Sequence, residues 1–191
     1  PGVLRGFRCR HPHIRIKVLA SDKNENLQKA RCDLAVRARF QLSRQTPPEN
    51  QFLRLPLTLV CAPDLPLDLS MPAEERIEAL PYLGYTFRVT NRVLLAESPD
   101  AKRPIRLNVN ADVEINNASF GSEMALQGHG MALVIRQCVE HHIDAGRLVE
   151  VAPELDFGCV HLQLLQRDPY PSDAAAAVKD YLLHALPLQQ T

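Results

Sequence analysis

Apolar residues recur along this chain at every second position in some stretches and at every third or fourth in others, and the two patterns alternate. Prolines and glycines stop each stretch before it grows long. This alternation constrains the fold more than any other feature, because strands separated by helices assemble into an α/β sheet. Val3, Leu4 and Phe7 share a helical face opposite Arg5, Arg8 and Arg10, and Pro12 ends the segment. Pro1 gives that helix no cap, so we expect the original polypeptide to extend further toward the N-terminus. Residues 14–19 alternate Ile, Ile and Val with Arg and Lys, the pattern of a half-buried strand. Residues 26–29 read as a short helix and 33–36 as the next strand. Strand, helix and strand at this spacing make a βαβ unit with parallel strands.

Between residues 40 and 53 the chain turns polar, and Pro47 with Pro48 marks a surface loop. Residues 53–62 form a long apolar strand interrupted by Pro56 and stopped by Pro63 and Pro66, which we read as the crossover into a second lobe. A helix is expected over 74–80, with Pro72 near its start, Glu74 and Glu75 in its first turn and Pro81 as its stop. Strand patterns follow at 93–96, 105–109 and 113–115. Asn116 and Asn117 introduce a helix over 118–127 that Gly128 and Gly130 close. A buried strand at 131–135, a helix at 136–144 and strands at 147–151 and 160–165 come next. Ser172 caps a last helix whose Ala174, Ala177, Val178, Tyr181, Leu182 and Ala185 recur every three or four residues.

A chain of 191 residues makes one domain or two interleaved lobes. Its net charge is zero but unevenly spread: residues 1–60 hold 12 Lys+Arg against 4 Asp+Glu, and the remainder 10 against 18. The basic residues are scattered over helix, strand and loop with little aromatic interleaving, so solvated faces explain them better than a nucleic-acid surface does. Five cysteines without framework spacing argue against a secreted disulfide scaffold and fit a reducing cytoplasm. No apolar run is long enough to span a membrane, and the first residues lack the apolar stretch of a signal peptide.

Six segments then fall in a telling order: FRCRHPHIRIKVL at 7–19, DLAVR at 33–37, LRLPLTLVCAPDL at 53–65, LGY at 83–85, INNASFGSEMALQGHGMALV at 115–134 and AGRLVEV at 145–151. Together they resemble the effector-binding domain of LysR-type transcriptional regulators over nearly the whole chain. The resemblance implies a two-lobed α/β fold like that of type II periplasmic binding proteins. Lobe I would comprise residues 1–58 with 160–191 and lobe II residues 64–156, with crossing strands near 59–63 and 157–159. It further implies a small-molecule effector, carboxylate or aromatic, in the cleft between lobes, sensed rather than transformed. A homodimer through this domain and a tetramer of the full-length regulator are implied as well. DNA contact would belong to a winged helix-turn-helix ahead of Pro1. The family's first strand and a Ser/Thr-bearing turn would also lie ahead of it.

α/β sheets bind ligands beyond the carboxyl ends of their strands, so Arg37 and Ala38, just after the strand at 33–36, are the first-lobe candidates. The Arg37 guanidinium matches a carboxylate through two parallel hydrogen bonds, or simply lies on the rim. Asn116, Asn117 and Ala118 open a helix whose free amides and dipole receive an anion or a carbonyl, although the asparagines also serve as caps. Cys61 and Ala62 at the crossover, with Tyr85 and Phe87 opposite, are candidate cleft walls, and core packing is the plainer role for the two aromatics.

Cys138 and His142 stand four apart on a helix, a spacing that aims two metal ligands one way, with Glu140, His141, Cys159 and His161 available to complete a site. No CxxC pair or HExxH motif accompanies them, so buried cysteine with exposed histidine is the favoured reading, and neither metal nor cofactor is expected. The cluster Cys9, His11 and His13 is read the same way. Gly128-His129-Gly130 follows a helix and precedes a strand, the reverse of a dinucleotide-binding turn, so it terminates the helix. There is no nucleophile elbow or triad spacing, which argues against an enzyme. A solute-binding protein of a transporter, sharing the two-lobed design, is the alternative.

Overall fold

The computed structural model describes residues 2–20, 27–46, 51–86 and 92–185. Its elements are α1 (Gly2–Arg10), α2 (Leu27–Ala30), β1 (Leu34–Gln41), β2 (Gln51–Cys61), α3 (Ala73–Ala79), β3 (Pro81–Tyr85), β4 (Val93–Ala96), β5 (Ile105–Asn108), β6 (Asn110–Ile115), α4 (Ala118–Leu126), β7 (Ala132–Ile135), α5 (Arg136–Asp144), β8 (Val149–Glu150), β9 (Cys159–Gln166) and α6 (Asp173–Ala185). The chain divides into two compact units, one of residues 1–39, 46–54 and 161–191, the other of residues 40–45 and 55–160. β1, β2 and β9 each have residues in both.

In the first unit, α1 buries Phe7, whose ring meets the edge of Tyr181 on α6 at 5.4 Å and stacks on His11 at 4.7 Å. The Arg10 guanidinium covers Tyr181 from 5.3 Å, so the basic face of α1 also holds α6. Ser172 caps α6 as its sequence requires, its hydroxyl accepting from the Ala175 amide at 3.3 Å. Two expectations fail here. Residues 14–19 form no strand, so the proposed βαβ unit does not exist. Their alternation is genuine, but a strand needs a neighbour, and no strand among the described residues pairs with them. β1 also runs on to Gln41, five residues past the expected end, because Arg37, Ala38 and Arg39 remain extended.

The second unit is layered. β2 pairs antiparallel with β7, from Leu57 opposite Ile135 to Val60 opposite Ala132, and with β8 through Val60 and Cys61. Because strand side chains alternate, Leu59, Cys61, Met131 and Leu133 enter one apolar cluster with Ile77 and Leu80 of the α3 segment. Val60, Ala132 and Val134 enter the other, with Ala125 of α4 and Val139 of α5. The strands therefore lie between two helical layers, and β2 meets β7 and β8 antiparallel, so the sheet is not wholly parallel. Arg76 of α3 is buried, donating to the Val151 carbonyl at 2.7 Å and pairing with the Glu154 carboxylate. β4 and β5 form a separate antiparallel pair. The α4 helix ends where the glycines predict, with the Gly128 amide on the Ala125 carbonyl at 3.1 Å.

Candidate functional site

β3, which the sequence pattern does not mark as a strand, runs parallel to β6, and the pair ends with Tyr85 opposite Ile115 and the Thr86 amide on the Ile115 carbonyl at 2.9 Å. Two residues beyond β6, α4 begins, so a helix N-terminus stands at the carboxyl edge of two parallel strands. That is where open α/β sheets gather ligands. Asn117 is the cap: extended at φ −136° and ψ 123°, it accepts the Phe120 amide on Oδ1 at 3.0 Å and the Gly121 amide on its carbonyl at 3.1 Å. The Ala118 and Ser119 amides belong to the first turn, which has no intrahelical acceptor to offer them. Asn116, Asn117 and Ala118 are all exposed, so the positive end of α4 faces solvent.

Tyr85 lies under this turn and is 2% exposed. A Cβ on Gly121 would come within 2.6 Å of the Tyr85 hydroxyl oxygen and 2.7 Å of Ile115 Cδ1, so the glycine lets α4 sit directly on the strand ends. Tyr85 thus supports the helix start from below. Thr86, which no sequence motif singles out, is exposed at the same edge. Its one signal is positional: it follows LGY directly.

The remaining candidates are placed differently. Cys61 and Ala62 are buried, Cys61 within the apolar cluster. Burial, with the Asp64 carboxylate adding to it, pushes the Cys61 thiol up to about 11, so it stays protonated and inert at neutral pH. Arg37 and Ala38 occupy the middle of β1 and not its carboxyl end, Arg37 half-buried and Ala38 exposed. They belong to the first unit, while the α4 start belongs to the second. Phe87 lies outside the described residues.

Cys138 is exposed, which corrects the expectation of a buried thiol, and His161 is buried rather than exposed. The His141 and His142 rings lie 3.8 Å apart; desolvation first, then the neighbouring His141 and Arg147, holds His142 below its ordinary value, with Glu123 opposing. Among the described residues no three His, Cys, Asp or Glu side chains come together in a metal-binding group. No helix among them is long and apolar enough to cross a membrane.

The family model described as the LysR substrate binding domain matches residues 1–187. Comparison with curated proteins gives no match. Among solved structures, the regulatory domain of variant C227S AphB from Vibrio vulnificus is similar with a TM-score of 0.77 at 15% identity, over 96% of this chain and 90% of that one. The regulatory domain of CrgA from Neisseria meningitidis gives 0.72 at 16% identity, over 97% and 90%. The full-length virulence activator AphB of Vibrio cholerae gives 0.75 at 13% identity, with 97% of this chain covering 62% of that protein. The chain therefore spans less than two thirds of the full-length regulator it matches, and at these identities the likeness establishes the two-lobed periplasmic-binding-protein-like fold.

Proposed function

The chain belongs to the LysR substrate binding domain family, and from that premise we propose that it senses a small anionic or carbonyl-bearing effector at the exposed start of α4. The observation that carries this reading is the Asn117-capped N-terminus standing, solvent-exposed, at the carboxyl edge of β3 and β6. Its first-turn amides and dipole favour a carboxylate, and the Thr86 hydroxyl adds a donor at the same edge. Arg37 on β1 is proposed, from its chemistry alone, as a group that matches a carboxylate bidentately. The domain does no chemistry of its own. Effector binding shifts the population of lobe arrangements, and a full-length oligomer passes that shift to DNA-binding helices that precede this domain. The family match favours this over a transporter's solute-binding protein, which has the same fold.

A thermal-shift screen against small carboxylates, aromatic acids, aldehydes and amino acids tests the reading. Ligand at a hundredfold over its Kd stabilises the folded state by about 2.7 kcal/mol, a readable rise in Tm. Arg37→Ala and Asn117→Ala are each expected to cut the shift by at least about half, as a tenfold loss of affinity does at that excess, while Asn117→Ser, which keeps a capping oxygen, separates lost binding from a weakened helix. A shift indifferent to both alanine variants discards the site.

A further inference from the structure

Residues 1–60 hold the chain's excess of cations, 12 Lys+Arg against 4 Asp+Glu, and the fold gathers part of that excess onto one face of the first unit's sheet. We propose that Arg37, Arg39 and Arg54, grouped around His161, bind a dianionic tetrahedral oxyanion, either free phosphate or a phosphate monoester. This site is separate from the α4 start, which belongs to the other unit, and does not rest on the reading above.

The strand order β1-β9-β2 puts β9 in the middle. At one end of β9 the Arg167 amide donates to the Asp33 carbonyl at 2.9 Å. At the other end a Cβ on Gly158 would collide with the Gln41 carbonyl, so β1 and β9 run antiparallel. Counting inward two by two from Asp33 and Arg167 sets Arg37 opposite Gln163 and Arg39 opposite His161. Opposed residues share a face, and alternate residues along a strand return to it, so these four stand on one side of the sheet. From β2 the Arg54 charge acts on His161 and, after burial, is what lowers its imidazole below the ordinary value. All five residues belong to the first unit.

The row Arg39, His161, Arg54 thus sets a guanidinium on either side of a buried imidazole, and none of the three strands contains Asp or Glu. Neighbouring strands lie about 4.8 Å apart, so the two arginine stems rise roughly 10 Å from each other, within reach of one oxyanion above the central strand. Each guanidinium is a planar fork that takes two oxygens. A monocarboxylate fills one fork, whereas a tetrahedral dianion offers oxygens to both. Arg37, one pair along β1, adds a third positive charge. Like charges on one sheet face repel each other, and a bound dianion relieves that repulsion. Arg39 is exposed while Arg37 and Arg54 are half-buried, so the site opens to solvent and still screens its charges less than an open surface does.

Thermal unfolding of the 191-residue chain in sodium sulfate or sodium phosphate, against sodium chloride at matched ionic strength, tests this. Tm is expected to rise saturably with sulfate and phosphate beyond chloride. R39Q and R54Q should each raise the anion concentration needed for that rise at least about tenfold. R106Q, which removes an exposed cation from β5 in the other unit, should leave it unchanged. Circular dichroism establishes that the variants are folded, and because Arg39 is exposed, R39Q tests the site even where R54Q does not fold. No rise beyond chloride, a rise that R39Q leaves unaltered, as binding at the α4 start would, or a rise weakened equally by R106Q overturns the inference. A phosphate monoester tried alongside identifies the source: a tighter response than inorganic phosphate marks an ester as the ligand, a weaker one free phosphate, and both support the site.

Discussion

At the scale of single residues, cap, thiol and histidine each have a measurable consequence. Asn117→Ala removes an observed cap and should cost about 1 kcal/mol in urea unfolding, with Asn117→Ser restoring most of it. Unchanged stability would contradict the cap. Iodoacetamide on the folded protein should modify exposed Cys9 and Cys138 and spare Cys61 and Cys159, both 0% exposed, the former also kept protonated. Rapid labelling of Cys61 would mean that its cluster opens readily. Burial, then the Arg54 charge, lowers the buried His161 below its ordinary value. The unfolded state therefore takes up a proton at higher pH than the folded one, and stability falls as pH drops below about 6.5. His161→Gln should flatten that part of the pH dependence, and an unaltered slope would assign it to other groups. Asn117 was legible because capping is local chemistry. Tyr85 was only half legible, since nothing in LGY alone says that Gly121, far along the chain, will admit its ring.

At the scale of elements, what could be read depended on how much of each element's stability is local. The ends of α4 and the start of α6 are written in Asn, Gly and Ser, and the structure places them where those residues stand. The strand reading at 14–19 failed because alternation specifies a willing strand but not its neighbour. The antiparallel pairing of β2 with β7 and β8 depends on contacts some 70 to 90 residues apart, which no local pattern encodes. β1 outran its expected end because its exposed, charged second half carries no burial signal. Glycines at element junctions offer a test of this level. Gly130 has φ +150°, and a Cβ there would meet the Pro81 carbonyl oxygen at 2.6 Å. Gly130→Ala should cost roughly 2–4 kcal/mol and disturb the bridge between Tyr82 and Met131. Gly146 has φ +66° with open space around it, so Gly146→Ala should cost only about 1 kcal/mol. Equal losses in thermal unfolding would refute the packing explanation for Gly130.

At the scale of the whole molecule, the family was readable because six weak segments kept one order over most of the chain, whereas no single residue announces a ligand. The site was less readable: among the described candidates the α4 start combines full exposure with a chemical reason to bind, Arg37 is half-buried, and Cys61, Ala62 and Tyr85 are buried, Cys61 and Tyr85 in the apolar clusters. As a sensor, this domain binds an effector and returns it unchanged. Ligand-observed NMR of the strongest thermal-shift hit, titrated to saturation and followed for a day, addresses both halves at once. The expected result is saturable broadening with one ligand per chain, weakened at least about tenfold in Asn117→Ala, and a ligand spectrum free of new resonances. Product resonances growing with protein concentration, or broadening that never saturates, would contradict it.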